Sequence, residues 1–262
     1  VTLSIAEAFQ CRRARQQAAL VPYVTAGFPG PDSTVPVLHA LAGAGADVIE
    51  LGVPFSDPLA DGPTIQRSSF RSLEGGTTVA KVLEAVREFR ADHDTPLVLF
   101  SYLNPVLRYG VETFLADAAE AGAQGLLLTD LPTGADPEME EQVTSSRLDL
   151  IRLVAPTTPL HRMAAVAHGG RGFLYYISRT GVTGARAELS ATLADEVRAV
   201  REAVDLPVAV GFGISTPEQA RMVAGVADGV VVGSALVEAL DEGGIEAGAD
   251  FLAGLRQGMD AG

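Results

Sequence analysis

The sequence predicts a single (β/α)8 TIM barrel, and three observations carry that prediction. Eight short apolar segments recur along the 262 residues, most of them unbroken runs of Val, Ile and Leu, as parallel strands covered on both faces require. Stretches with helical spacing lie between them, and each returns the chain to the sheet. No Pro/Ser-rich linker or shift in composition divides the chain, so residues 1–262 are expected to form one α/β domain. An open doubly wound sheet is the alternative reading of the same alternation.

Taken in order, residues 4–17 read as an extra N-terminal helix capping the bottom of the barrel. The strands are expected at 20–25, 47–52, 97–102, 125–131, 150–155, 172–178, 208–213 and 229–233. Helical periodicity is clearest in Val35-Leu38-Leu41-Ala42, Val79-Val82-Leu83-Val86-Phe89 and Leu193-Val197-Val200-Val204. Ser215-Thr216-Pro217-Glu218 supplies a cap, a first-turn proline and an acidic residue at a helix start. Gly43, Gly45 and Gly122 stand where helices should stop. The loops after strands two and six are longer than a minimal βα connection, and the segments 54–63 and 179–190 are expected to be mobile loops.

With 47% hydrophobic and 20% charged residues, the chain has enough apolar side chains for a sizeable core. Nineteen Lys plus Arg against thirty-three Asp plus Glu leave a net charge of −14, which disfavours nucleic acid unless cations gather on one face. The densest group, Arg12, Arg13 and Arg15, reads as the solvated face of the first helix. The single cysteine, Cys11, excludes an internal disulfide, and no Cys/His spacing suggests a metal site. No signal layout and no run approaching the ~20 residues of a membrane span is present. A soluble cytoplasmic protein, with neither membrane nor nucleic acid as partner, is the expectation.

In a barrel the chemistry collects at the C-terminal ends of the strands. Strand two ends in Glu50, and its Pro/Gly-punctuated loop carries Asp57 and Asp61. Thr25 and Gly27, Tyr102 and Asn104, Thr129 and Asp130, and Tyr175 and Tyr176 occupy the corresponding ends of strands one, three, four and six. Glu50 interrupts an apolar strand, where burial would raise its pKa into the range useful for proton transfer. The competing reading pairs it with an arginine such as Arg179. Asp61 lies in an Asp-Gly turn and could serve only the turn. Spacing alone leaves Tyr175 between packing and chemistry, and Asp130 could simply tie loops together.

A second pattern concerns an anion. Gly181-Val182-Thr183-Gly184 follows strand six, Gly211-Phe212-Gly213-Ile214-Ser215 ends strand seven, and Gly233-Ser234-Ala235 opens the last helix. Glycines there let backbone N–H groups approach a phosphate, and the helix adds its positive end. Tight turns alone would also call for glycine.

The segments Pro22-Tyr23-Val24-Thr25-Ala26-Gly27, 50–66, Tyr102-Leu103-Asn104-Pro105, Asp130-Leu131-Pro132, 178–184 and Gly211-Phe212-Gly213-Ile214 together resemble the tryptophan synthase α-subunit family over nearly the whole chain. The resemblance implies a lyase that cleaves indole-3-glycerol phosphate by a retro-aldol reaction, without a cofactor, to indole and glyceraldehyde 3-phosphate. By the same resemblance Glu50 matches the acid/base glutamate, Asp61 the aspartate that binds the indole N–H, and Tyr175 a tyrosine of the site. Gly184, Gly213, Gly233 and Ser234 match the phosphate cradle. Tyr23, Tyr102, Leu127 and Phe212 match the indole pocket, and Thr183 matches a flap residue that meets Asp61 on closure. The implied partner is a pyridoxal-phosphate-dependent β subunit in an α2β2 heterotetramer that uses the indole to make tryptophan. Thr133-Gly134-Ala135-Asp136 departs from the family's Pro-rich acidic turn. A free-standing indole-releasing lyase, a binding-only barrel and another phosphate-binding barrel are the other readings.

Overall fold

The computed structural model describes residues 3–178, 186–211 and 213–261. The chain enters through α1 (Ile5–Ala14) and proceeds through β1 (Ala19–Thr25), α2 (Thr34–Gly43), β2 (Ile49–Gly52), α3 (Pro63–Glu74), α4 (Val79–Arg90) and β3 (Leu97–Ser101). Next come α5 (Leu103–Tyr109), α6 (Val111–Ala121), β4 (Gly125–Leu128), α7 (Pro137–Ser145), β5 (Asp149–Leu150), β6 (Arg152–Val154) and α8 (Leu160–Ala167). The last third comprises β7 (Leu174–Ile177), α9 (Arg186–Ala203), β8 (Val208–Gly211), α10 (Pro217–Ala224), β9 (Gly229–Val232) and α11 (Ser234–Asp260).

Every strand pair is parallel, and β1 takes β2 on one side and β9 on the other. Contact between the first and last strands rules out the open doubly wound sheet. The fifth expected strand is divided in two. Its first piece, β5, continues the ladder of β4, while β6 pairs with β7, so closure runs through one stretch of chain. Between the pieces the Ile151 N–H donates to the Leu126 carbonyl at 2.9 Å. Beyond that bond no hydrogen bond joins β4 to β6 among the described residues, and the wall opens into a seam.

The helix signals act as expected. Thr216 caps α10 through the Gln219 N–H, with Pro217 in the first turn, and Gly122 ends α6 in the left-handed conformation at φ 102°. Two further helices, α3 and the seven-residue α5, occupy crossovers where the sequence reading named no helical stripe. The segment 179–190 was expected to be loop throughout, yet α9 already begins at Arg186. That start lies ahead of the apolar stripe from Leu193 onward, which carried the sequence signal.

Side-chain alternation divides the strands between two cores. Leu20, Ile49, Leu51, Leu97, Leu99, Leu126, Val208 and Val230 face the helices. Ala19, Val21, Val48, Val98, Leu127, Ile151, Phe173, Ala209 and Val231 fill the barrel together with Ile5, Ala8 and Phe9 of α1. The N-terminal helix therefore plugs the bottom, with Phe9 stacked on Phe173 at 5.2 Å between ring centroids. Ser4 holds its first turn through a capping box with Glu7. Gly229 makes room for the plug, since a Cβ there would lie 2.9 Å from a Phe9 ring carbon and 3.1 Å from Ala209 Cβ. We expect Gly229→Ala to destabilise the fold by about 1–3 kcal/mol through overpacking. Urea unfolding that leaves stability unchanged would show that α1 can withdraw without loss.

Candidate active site

Above the packed interior, the same inward parity delivers Tyr23, Glu50, Phe100, Leu153 and Tyr175 to the C-terminal mouth. Glu50 is the register partner of Tyr23 on one side and Val98 on the other, so its side chain enters from the middle of the wall. It is 1% exposed, and neither carboxylate oxygen has a hydrogen-bond partner among the described residues. Burial alone pushes its pKa up to about 8. Arg179, the arginine considered for a competing ion pair, lies outside the described residues.

Asp61 reaches the same mouth from the loop between β2 and α3. Burial raises its pKa to about 6, against the opposing effect of a hydrogen bond that it accepts from the Tyr102 hydroxyl at 3.0 Å. The same hydroxyl accepts the Ala60 N–H at 2.9 Å, and Gln66 donates its amide to the Asp61 carbonyl at 2.9 Å. Three bonds thus hold the Asp-Gly turn over the mouth. Burial also raises the pKa of Tyr23 and of Tyr175, and the charges of Glu50 and Asp61 act on both phenols. Two carboxylates and two neutral phenols share one low-dielectric space.

Two strand glycines let the phenols lie flat against the wall. A Cβ on Gly52 would sit 2.2 Å from the Tyr23 hydroxyl, and one on Gly211 would sit 2.4 Å from that of Tyr175. Rings complete the lining: Phe100 meets Tyr23 edge to face at 5.1 Å, and Phe55 tilts against Tyr102 at 5.2 Å. Leu127 is fully buried in the interior layer packed with α1, so it forms floor rather than open wall. Phe100 and Leu153 escaped the sequence reading, although counting inward by twos from Val98 and Ile151 would have found both.

Other candidates go elsewhere. Asp57 stays on the exposed rim, accepting the Ser56 hydroxyl at 2.6 Å. Asp130 accepts the Leu103 N–H at 2.7 Å and so fixes the start of α5, the loop-tying role. Tyr176 turns to the helix layer and donates to Glu196 at 2.8 Å. Gly213 takes a positive φ of 69°, and Gly233 with Ser234 opens α11. Gly233 leaves ordinary space around it, with Tyr23 Cβ 3.7 Å from where its own Cβ would be. Gly184, Thr183 and Phe212 fall outside the described residues, as do Gly181 and Val182. Among the described residues no cluster of His, Cys, Asp and Glu is arranged to hold a metal ion.

A buried carboxylate with raised pKa, a second one held by a phenol, and glycine-rich turns leading into a helix N-terminus make a mouth suited to proton transfer on a phosphorylated aromatic molecule. Known proteins give this mouth its context. The family model for the tryptophan synthase alpha chain matches residues 9–256. The chain is 49% identical over 261 residues to the tryptophan synthase alpha chain of Laribacter hongkongensis, covering 98% of this chain and 99% of that one. It is 50% identical over 259 residues to that of Citrifermentans bemidjiense, covering 97% of each. Among solved structures, the tryptophan synthase subunit alpha from Legionella pneumophila superposes with a TM-score of 0.92 at 38% identity, over 100% of this chain and 99% of that one. A chain of Mycobacterium tuberculosis tryptophan synthase superposes at 0.90 and 40% identity over 100% of both. With the family model spanning residues 9–256 and both sequence relatives and solved barrels matching over nearly the whole chain, the chain belongs to the tryptophan synthase alpha chain family.

Proposed function

We propose that Glu50, Asp61 and Tyr175, with the glycine turns opposite, carry out the α-chain reaction, the retro-aldol cleavage of indole-3-glycerol phosphate to indole and glyceraldehyde 3-phosphate. The observation that carries this assignment is the pair of carboxylates whose pKa values burial sets apart, about 8 for Glu50 and about 6 for Asp61. Near neutral pH Glu50 holds its proton and can deliver it to indole C3. Asp61, largely ionised, accepts the indole N–H and stabilises the positive charge that then develops on the ring. The bond from C3 to the side-chain carbinol breaks toward that cation, the carbinol proton passes to the Glu50 carboxylate, and an aldehyde leaves. Glu50 ends as it began, and no proton or electron is left unaccounted for.

Tyr23, Tyr102, Phe100, Leu153 and Phe212 are assigned to the indole wall with Leu127 as floor, Tyr175 to the carbinol side, and Thr183 to closure over Asp61. Gly184, Gly213, Gly233 and Ser234 are assigned to the phosphate. Membership in this family implies a β-subunit partner. We assign the chain to an α2β2 heterotetramer and to the cytoplasm, in keeping with the absence of any membrane-crossing helix among the described residues. The test is indole release from indole-3-glycerol phosphate by the purified chain, alone and with a tryptophan synthase β subunit. Slow release that rises steeply with the partner is expected. Fast release indifferent to the partner would make the chain a free-standing indole producer, and no release in either case would overturn the assignment.

Tyr102→Phe probes the second carboxylate. Losing a donor that lowers the Asp61 pKa should move the acidic limb of kcat/KM to higher pH, because Asp61 must be ionised to accept the indole N–H. An unmoved acidic limb would remove Asp61 from that role.

A further inference from the structure

Thr25, at the end of β1, has no part in the chemistry assigned to the mouth, yet its buried hydroxyl sits between two others. Tyr23 and Thr25 stand two residues apart on the strand and so share its inward face. The Tyr23 hydroxyl lies 3.4 Å from Thr25 Oγ1, the longest link of the chain and the phenol's one hydrogen-bond partner among the described residues. Thr25 Oγ1 lies 2.7 Å from the Ser68 hydroxyl of α3, and Ser68 donates to the Ile65 carbonyl at 2.8 Å. All three side chains are buried.

The last acceptor fixes the direction of the whole chain. A carbonyl can only accept, so the single hydroxyl proton of Ser68 goes to Ile65. Thr25 must then donate to Ser68, and Tyr23 must donate to Thr25. The phenol is left with no donor for the mouth. That matters because two carboxylates compete for its proton. Tyr23 is in register with Glu50, its hydroxyl reaches over Gly52 two residues further along β2, and the charges of Asp61 and Glu50 both act on it. Tyr102 and Tyr175 are the other titratable groups facing this phenol, and Tyr102 already donates to Asp61. A phenol that donated to Glu50 would favour its ionised form and strip it of the proton that cleavage needs. We propose that Thr25, oriented by Ser68, is a positioning residue that commits the Tyr23 proton to the barrel wall and withholds it from Glu50 and Asp61. The benefit to cleavage depends on the acid role of Glu50 proposed above, whereas the direction of the hydroxyl chain does not.

NMR titration of the labelled Glu50 and Asp61 carboxyls in the full chain, assigned from Glu50→Gln and Asp61→Asn, tests this without any turnover. Thr25→Val keeps the shape and removes the phenol's acceptor. It should lower at least one of the two midpoints, about 8 and about 6 in the parent, by about one pH unit. Thr25→Ser, which keeps the hydroxyl, should restore the parent values. In a Tyr23→Phe background, Thr25→Val should move neither. Midpoints unmoved by Thr25→Val, moved equally by Thr25→Ser, or moved without the phenol would overturn the role of Thr25. A chain that gave the expected titrations and released no indole would lose its assigned function and keep its hydroxyl chain.

Discussion

Glu50→Gln is expected to lower indole release by on the order of 10²–10⁴-fold while leaving ligand binding within a few-fold of the parent. Glutamine has the shape of the protonated glutamate that burial favours near neutral pH, so the mouth keeps its form. It can neither give a proton to indole C3 nor take one from the carbinol. The loss should fall on kcat, with KM nearly unchanged, because the missing interaction belongs to the transition state. Steady-state indole release, with binding of a non-cleavable phosphate analogue measured in parallel, decides the matter. Turnover retained within tenfold would transfer the proton chemistry to another group.

The same substitution is expected to stabilise the protein at high pH. In the unfolded chain Glu50 titrates near the ordinary value of 4.5, and in the folded chain at about 8. Between those two values the folded state binds the proton that the unfolded state has already lost. Stability therefore falls as pH rises through that window, and the loss levels off above about 8. Asp61, raised from 3.8 to about 6, contributes a smaller loss of the same sign over its lower range. Glu50→Gln removes the larger contribution, which is on the order of a few kcal/mol. The variant should melt with the parent near pH 4 and roughly 5–10 °C above it at pH 9. Coincident melting curves at every pH would mean that Glu50 is ionised and paired, and the acid role in cleavage would fall with it. A carboxylate that costs stability where it serves the chemistry is a common trade at active sites.

The barrel was legible because parallel strands covered on both faces must be continuously apolar, and the runs at β1, β3 and β9 are. The helix boundaries at Thr216 and Gly122 were legible because caps act through their own neighbours. The division of the fifth strand was not, since Leu150-Ile151-Arg152-Leu153-Val154 reads as one apolar run until two different neighbours claim its halves. Helix α3 was hidden as well: Ser68, Ser69 and Ser72 join Ile65 on its buried face, and one isoleucine among buried serines makes no hydrophobic stripe.

At the mouth the residue types were visible and their relations were not. Glu50 announced itself by interrupting an apolar strand, a conflict that local physics makes readable from one dimension. That Asp61 would hang from Tyr102, that Asp57 would stay on the rim and Asp130 serve α5, depended on loops meeting residues about 40 and 27 positions away. The sequence by itself determined the strand and helix pattern, the family, and the carboxylates and glycines available at the strand ends, because periodicity, capping and motif spacing are properties of neighbours along the chain. Only the tertiary structure decided which carboxylate is desolvated without a partner, which one a phenol holds, and where the barrel wall parts, because burial and pairing are set by groups that sequence distance keeps apart and folding alone brings together.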